Sequence, residues 1–206
     1  EGNTVAATEL TLAMMLALAR NVPQAHASVQ AGKWERSKFI GMELRGKTLG
    51  VLGLGRIGTG VAKRALAMEM DVLAYDPFIS AGQAKALGLE LAEKEEVIRR
   101  ADFITLHLPL TAETKNLINS DTLAQMKDGV RIINCARGGT IDEMALAEAL
   151  KSGKVAGAAI DVFSKEPIDP ANPLIGLPNV VLTPHLGAST VEAQVGVAVD
   201  VAYGVL

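Results

Sequence analysis

Three glycines in the run Lys47-Thr-Leu-Gly-Val-Leu-Gly53-Leu-Gly55-Arg56-Ile57-Gly58, with Asp76 following 18 positions after the last of them, carry the most specific chemistry in this sequence. The run reads as a buried strand, a glycine turn and the start of a helix, and a second strand, Val72-Leu-Ala-Tyr-Asp76, ends on the acid. Gly53 permits the tight turn, Gly55 lets backbone approach a pyrophosphate, and Gly58 lets the helix pack close on the strand. The helix N-terminus adds unpaired N–H groups and the positive end of its dipole. Asp76 can accept hydrogen bonds from both hydroxyls of an adenosine ribose. Its charge favours NAD over NADP, because a carboxylate repels a 2′-phosphate. Arg56 lies inside the turn, where a pyrophosphate contact is favoured over a 2′-phosphate contact. The plainer reading of Asp76, a turn residue before Pro77, leaves it without a ligand; strand, turn, helix and acid in this order favour the ribose role.

A second set of residues could move a proton and hold a carboxylate. Asn134-Cys-Ala-Arg137-Gly-Gly139, Asp161-Val-Phe-Ser-Lys-Glu166-Pro167 and Thr183-Pro-His185-Leu-Gly-Ala-Ser189 each follow an apolar strand pattern. Hydride transfer to or from a hydroxyl carbon needs an acid/base for the hydroxyl proton and a cation for the substrate. His185 suits the first role, since a histidine titrates near pH ~6.5 and can act in both directions. Glu166 would orient the imidazole and favour its protonated form. Arg137 offers a planar fork to a carboxylate, which lysine cannot. Singly, each has a plainer reading: His185 as a strand cap, Glu166 as a solvated loop acid, Arg137 as a surface partner of Asp142. Their common place after three separate strands favours a joint role. Cys135 reads as a buried strand thiol, with no base partner evident. His107-Leu108-Pro109 reads as lining of the cofactor cleft. His26 and Trp34 fall in no pattern.

These residues need elements to position them. Strands are predicted at 48–52, 72–75, 103–108, 130–134, 157–162 and 180–182, and helices at 57–68, 81–87, 94–100, 120–126 and 142–151. Thr140-Ile-Asp-Glu143 and Ser189-Thr-Val-Glu192 read as capping boxes and Gly153 as a helix stop. Short apolar strands alternating with helices imply an α/β fold: a Rossmann-type, doubly wound parallel sheet with helices on both faces, in a single domain. Ligands in such sheets sit at the carboxyl ends of the strands. Residues 165–178, with four prolines, read as a long loop. The 206 residues can bury a full core. A net charge of −3 gives no polybasic signature for nucleic acid or membrane. One cysteine rules out an internal disulfide framework and fits a reducing cytosol, and three scattered histidines offer no metal cluster. Of residues 4–19, only Thr4, Thr8, Glu9 and Thr11 are polar, so this first helix needs cover on both sides. The sheet can supply one side and a second subunit the other, the alternative being a central core helix. Residues 195–206 still read as helix where the sequence stops, which suggests a piece of a longer protein.

Gly50-Val-Leu-Gly-Leu-Gly-Arg-Ile-Gly58, Tyr75-Asp-Pro77, Asn134-Cys-Ala-Arg-Gly-Gly139, Asp161-Val-Phe-Ser-Lys-Glu-Pro167 and Pro184-His-Leu-Gly-Ala-Ser-Thr190 resemble the D-isomer-specific 2-hydroxyacid dehydrogenases, across essentially the whole chain. Glu1-Gly-Asn-Thr-Val-Ala-Ala-Thr-Glu9, Gly32-Lys-Trp-Glu-Arg36 and Gly187-Ala-Ser-Thr-Val-Glu-Ala-Gln194 look most like the branch of that family that oxidises 3-phosphoglycerate to 3-phosphohydroxypyruvate. The resemblance implies Arg137, Glu166 and His185 as the catalytic trio, with His185 the proton donor. It implies Arg56, Ile57 and Asp76, with Pro77 beside it, on the adenosine diphosphate part of NAD. Cys135 and Ala136 would meet the cofactor through backbone, Asp161 its carboxamide, and His185, Gly187 and Ala188 its nicotinamide end. It also implies a homodimer built on this domain, a cytoplasmic enzyme, and a substrate domain formed mainly by sequence before residue 1 and after residue 206. Residues 1–206 would then be the NAD-binding domain alone, binding NAD with little turnover. A glyoxylate or hydroxypyruvate reductase and an NAD-sensing, corepressor-like module are the alternatives. Glu69 stands where the family has glycine, which predicts a strained turn, and Ile168 replaces a second proline, which predicts a looser loop at Glu166.

Overall fold

The computed structural model describes residues 2–195; the helix expected over 195–206 lies almost wholly outside them. The chain opens with α1 (Gly2–Ala19), α2 (Val22–Gln30) and a 3-10 turn (Arg36–Phe39), then enters the sheet. There follow β1 (Thr48–Leu52), α3 (Arg56–Ala67), β2 (Asp71–Tyr75), α4 (Ala81–Ala86), β3 (Glu90–Leu91), α5 (Lys94–Arg100) and β4 (Phe103–Leu106). The second half runs α6 (Ser120–Gln125), β5 (Val130–Asn134), α7 (Glu143–Ser152), β6 (Val155–Ile160) and β7 (Val180–Leu182). All seven strands are parallel, in the order β3-β2-β1-β4-β5-β6-β7. The chain therefore reverses direction across the sheet between β1 and β4, and a crevice opens at their carboxyl ends.

Register decides what faces that crevice. Leu52 pairs with Tyr75 and Leu106, Leu106 with Asn134, Asn134 with Ile160, and Ile160 with Leu182. These strand ends form one row, so Gly53, Asp76, His107, Cys135, Asp161 and Thr183 form the next, along a single edge. Both faces of the sheet are covered. Leu49, Val51, Phe103 and Ile133 pack towards α1 and α3, and Leu52, Ile104, Leu106 and Ile132 pack towards α5, α6 and α7. This is the period-2 alternation of a strand buried on both sides.

The first helix is covered on one side. Met14, Met15, Leu18 and Ala19 are buried, whereas Val5 and Leu16 are 53% and 41% exposed. Beyond it, α2 buries no residue, and Trp34 and Ile40 are each 80% exposed. No single helix among the described residues is long and apolar enough to cross a membrane.

Two expected caps are corrected. Asp142, not Thr140, caps α7, accepting from the N–H groups of Met144 and Ala145; Thr140 donates its hydroxyl to Arg137 O at 2.9 Å and accepts from Asn134. At the last helix the hydroxyl of Thr190, not Ser189, accepts from Ala193 N–H. Each real cap is the acceptor nearest the first free N–H groups. The predicted strand 103–108 ends at Leu106, because His107 and Pro109 already belong to the crevice. Glu69 does hold a left-handed φ of 59°. Ile168, by contrast, packs against the core and ties its loop down.

Candidate active site

The glycine turn is built as its spacing requires. Gly53 has φ 101°, and a Cβ on it would lie 2.8 Å from His107 O; a Cβ on Gly58 would lie 1.9 Å from Gly53 O. Gly55 differs: its φ is −62°, and nothing lies within 4 Å of the place a Cβ would take. Nothing in the protein requires glycine there, so the open space in front of it fits a ligand. Gly55 is the N-cap of α3 and no side chain caps the helix, which leaves its first N–H groups for an anion. A dinucleotide pyrophosphate fits this cradle.

Beside the turn, Asp76 accepts from Leu54 N–H at 2.7 Å and from Phe78 N–H at 2.8 Å. One carboxylate oxygen is thus fixed by each backbone donor, and the remaining lone pairs face a cavity of about 500 Å³ that Gly53, Gly55 and Pro77 also line. A second cavity, of about 530 Å³, is lined by Ile57, Cys135, Ala136, Arg137, His185, Gly187 and Ala188. His107, Leu108 and Pro109 line both, forming the waist between them. One continuous cleft with two chambers at a glycine turn is the shape an extended dinucleotide needs. Arg56, exposed at the first position of α3, lies at the turn but lines neither chamber.

At the second chamber, His185 Nδ1 meets Glu166 Oε2 at 2.6 Å, and Glu166 Oε1 accepts from Phe163 N–H at 2.9 Å. Burial pushes the Glu166 carboxyl up, but the bonds from His185 and Phe163 outweigh it and hold the group below its ordinary range. An ionised Glu166 accepts a hydrogen bond from Nδ1–H, which leaves Nε2 as the imidazole's free nitrogen. The turn that presents His185 is unusual: φ is 57°, left-handed in a residue with a Cβ. Asp161, fully buried, holds it there. Its carboxylate accepts from Thr183 Oγ1 at 2.6 Å, Leu186 N–H at 2.7 Å and Gly187 N–H at 3.0 Å, while its carbonyl accepts from His185 N–H at 2.9 Å. With no exposed surface, Asp161 stands behind the chamber wall and holds the Gly187 backbone that lines it.

Arg137 is exposed at the same chamber, its Nη1 donating to Ala136 O at 2.7 Å. Its surface pairing with Asp142 is not made among the described residues, since Asp142 caps α7. Burial pushes the Cys135 thiol up to about 12, and the nearby Asp161 charge adds to the effect, so it is no nucleophile. Burial likewise lowers the His107 imidazole to about 4; its Nε2 lies 3.0 Å from Thr105 Oγ1. His107 is therefore a neutral wall of the cleft. Among the described residues no cluster of three metal-ligating side chains occurs.

Tyr75, Phe78, Lys94, Thr111, Glu113, Thr114 and Leu117 complete the first chamber, and Asn3 and Ala7 the second. Tyr75, Asn3 and Ala7 fall inside the motifs of the family resemblance but carry no assigned role there, and the others do not stand out in the sequence, because loop and helix residues reach the cleft by tertiary packing. Gly138 is another: a Cβ on it would lie 1.7 Å from Phe163 O, so the Arg137 turn and the Glu166 loop touch backbone to backbone.

The parallel sheet, its reversal point and the two-chambered cleft define a dinucleotide-binding domain. The chain belongs to the D-isomer-specific 2-hydroxyacid dehydrogenases: residues 12–187 match the NAD-binding domain of that family. It is 58% identical over 202 residues to a D-3-phosphoglycerate dehydrogenase of Synechocystis and 55% identical over 201 residues to one of Archaeoglobus fulgidus, each across 98% of this chain. The chain spans 36% and 38% of the lengths of those two relatives. The crystal structure of D-lactate dehydrogenase from Aquifex aeolicus complexed with NAD and lactic acid matches with a TM-score of 0.89 at 32% identity, over 97% of this chain and 65% of that one.

Proposed function

We propose that this chain is the NAD-binding domain of a dehydrogenase that oxidises 3-phospho-D-glycerate to 3-phosphohydroxypyruvate, the first step of serine biosynthesis. The observation that carries the chemistry is the 2.6 Å His185–Glu166 pair beside Arg137 on the chamber next to the glycine turn. The phosphoglycerate substrate is supported by relatives of that activity at 55% and 58% identity, which favours it over a glyoxylate or hydroxypyruvate reductase.

Gly53, Gly55 and Ile57 line the cradle for the pyrophosphate of NAD, with Arg56 beside it at the helix start and Gly58 packing that helix onto the strand, and Asp76 and Pro77 hold its adenosine ribose. His107, Leu108, Pro109, Cys135 and Ala136 line its path, and Gly187 and Ala188, set by Asp161, its nicotinamide end. NAD, when bound, supplies the acceptor for the hydride. Arg137 grips the substrate carboxylate bidentately. The substrate hydroxyl proton passes to Nε2 of His185, and Glu166 stabilises the imidazolium that results. His185 takes this proton in oxidation and returns it in the reverse reaction.

Residues 1–206 form one domain in this reading, and the cations that would bind the substrate phosphate belong to a second domain outside the sequence. Without that domain water reaches the chamber, and turnover is weak or absent. The exposed face of α1 and the uncovered α2 support a homodimer, and a cytosolic location follows from the family resemblance. The deciding experiment is a calorimetric titration with NADH and then NADPH. Saturable NADH binding with at least tenfold weaker NADPH binding, about 1.4 kcal/mol, is expected. Equal affinity for both refutes the Asp76 assignment, and a folded chain that binds neither refutes the cleft.

A further inference from the structure

The Glu166–His185 pair depends on a loop with no strand or helix of its own. Glu166 sits between β6 and β7, and the Phe163 N–H orients one of its oxygens, yet neither contact fixes where the loop itself lies. That position is set from α7. Glu143, the first residue of that helix, leaves the capping of its own N-terminus to Asp142 and reaches across to the loop instead. Its Oε1 accepts from Ser164 N–H at 2.7 Å, and its Oε2 accepts from Asn172 Nδ2 at 2.6 Å. Both are short, charge-assisted bonds. They grip the loop two residues before Glu166 and six residues after it. Asn172 carries the grip inward, because its Oδ1 accepts from the N–H of Leu174, which is fully packed in the core. On the other side of the same segment, Gly138 meets Phe163 with no room for a side chain. The loop is thus clamped between the Arg137 turn and the start of α7.

We propose that Glu143 is a positioning residue: its carboxylate clasps both arms of the loop so that Glu166 meets His185 Nδ1 at hydrogen-bonding distance. It touches neither cavity that would hold cofactor. The proposal rests on the acid–base role given above to His185 and Glu166, but its test does not use turnover.

The test is NMR of this chain, following the side-chain carboxyl carbon of Glu166 and the Nδ1 nitrogen of His185 through a pH titration. In the unaltered chain Glu166 titrates below the 4.5 of a free glutamate, because the His185 and Phe163 bonds outweigh burial. In Glu143→Ala the loop slackens. The Glu166 midpoint then rises, and His185 Nδ1 loses the shift of a nitrogen whose proton is held by a carboxylate. Amide dispersion and NADH affinity stay as they were. Glu143→Gln keeps an oxygen for Ser164 N–H and gives a smaller rise. Should Glu143→Ala not fold, Asn172→Ala, which removes one of the two bonds, is read the same way. A folded Glu143→Ala or Asn172→Ala chain with unmoved Glu166 and His185 signals overturns the proposal. Failure of the dehydrogenase reading shows separately, as absent NADH binding in the unaltered chain.

Discussion

His107 gives the sharpest quantitative test, because one side chain should account for a defined part of the acid lability of the fold. Its imidazole is lowered to about 4 by burial in the native state, against about 6.5 in an unfolded chain. The unfolded chain therefore takes up the proton first as pH falls. Stability that is complete above pH ~6.5 is lost on the way down to about 4 and falls no further below it. Linkage across these two values gives a loss of about 1.2 kcal/mol by pH ~5.5 and about 2.5 kcal/mol by pH ~4.5, relative to neutral pH. The perturbation is His107→Asn, which keeps a polar group near Thr105 and does not titrate in this window. Urea unfolding of both chains at several pH values between neutrality and about 4.5, with slopes checked for equality, yields the stability difference at each pH. Subtracting one chain from the other cancels the carboxylates common to both. The difference should shift by about 2.5 kcal/mol in favour of the variant as pH falls. Two parallel stability curves would show that His107 titrates alike in both states, and the neutral wall between the two chambers would have to be abandoned.

Gly55 and Gly58 should part company when each becomes alanine. Gly55→Ala meets open space at φ −62°, and its entropy gain is offset by alanine's poorer N-cap, so stability changes by less than about 1 kcal/mol, while NADH affinity falls at least tenfold, about 1.4 kcal/mol; unchanged affinity by calorimetry would remove the pyrophosphate from this turn. Gly58→Ala puts a Cβ 1.9 Å from Gly53 O and should cost about 1–3 kcal/mol or more in urea unfolding. Glu69→Gly relieves a left-handed residue worth about 1–2 kcal/mol; it gives up an exposed ion pair with Arg45 worth at most about 1 kcal/mol and adds chain entropy to the unfolded state. A net gain of about 0.5 kcal/mol is expected, and a loss of stability would show that the strain is absent. Leu16→Glu, on the exposed face of α1, should convert a dimer to a monomer in sedimentation velocity; an unaltered chain that is monomeric at every concentration disposes of the dimer.

The cleft was legible because its signals are local. The glycine spacing is read within a few positions, the acid and the polar residues each stand next to an apolar strand run, and a parallel sheet brings such strand ends to one edge without further information. The elements that escaped are those whose sequence lacks a period. In α2 no residue is buried, so no apolar stripe marks it, and the two residues of β3 are too few to alternate. Boundaries shifted where tertiary contacts decide them: His107 N–H still bonds Leu52 O, as a strand residue would, yet its side chain already faces the cleft. Glu143 is the instructive case. The Thr140–Glu143 spacing made it a capping residue, a local role; the structure gives its carboxylate to Ser164 and Asn172, 21 and 29 positions away. No local pattern can show that partner.

The same long-range contacts explain how three short loops can hold Arg137, Glu166 and His185 in the geometry proposed for proton transfer with so little regular structure. Each of these side chains is flanked by a group that cannot move independently. Arg137 precedes Gly138, pressed against the Phe163 backbone. Phe163 N–H binds the oxygen of Glu166 that His185 does not use. His185 is bent into a left-handed turn by a buried carboxylate with three donors on it. A displacement of any one loop is therefore felt by the other two, and the loops should open together rather than singly. Amide exchange tests this: the N–H groups of Phe163, Ser164, Leu186 and Gly187 should share one opening free energy, and Glu143→Ala should lower it for all four. Independent opening free energies at 163–164 and 186–187 would mean that the pair is aligned by local turns, with no mechanical link between them.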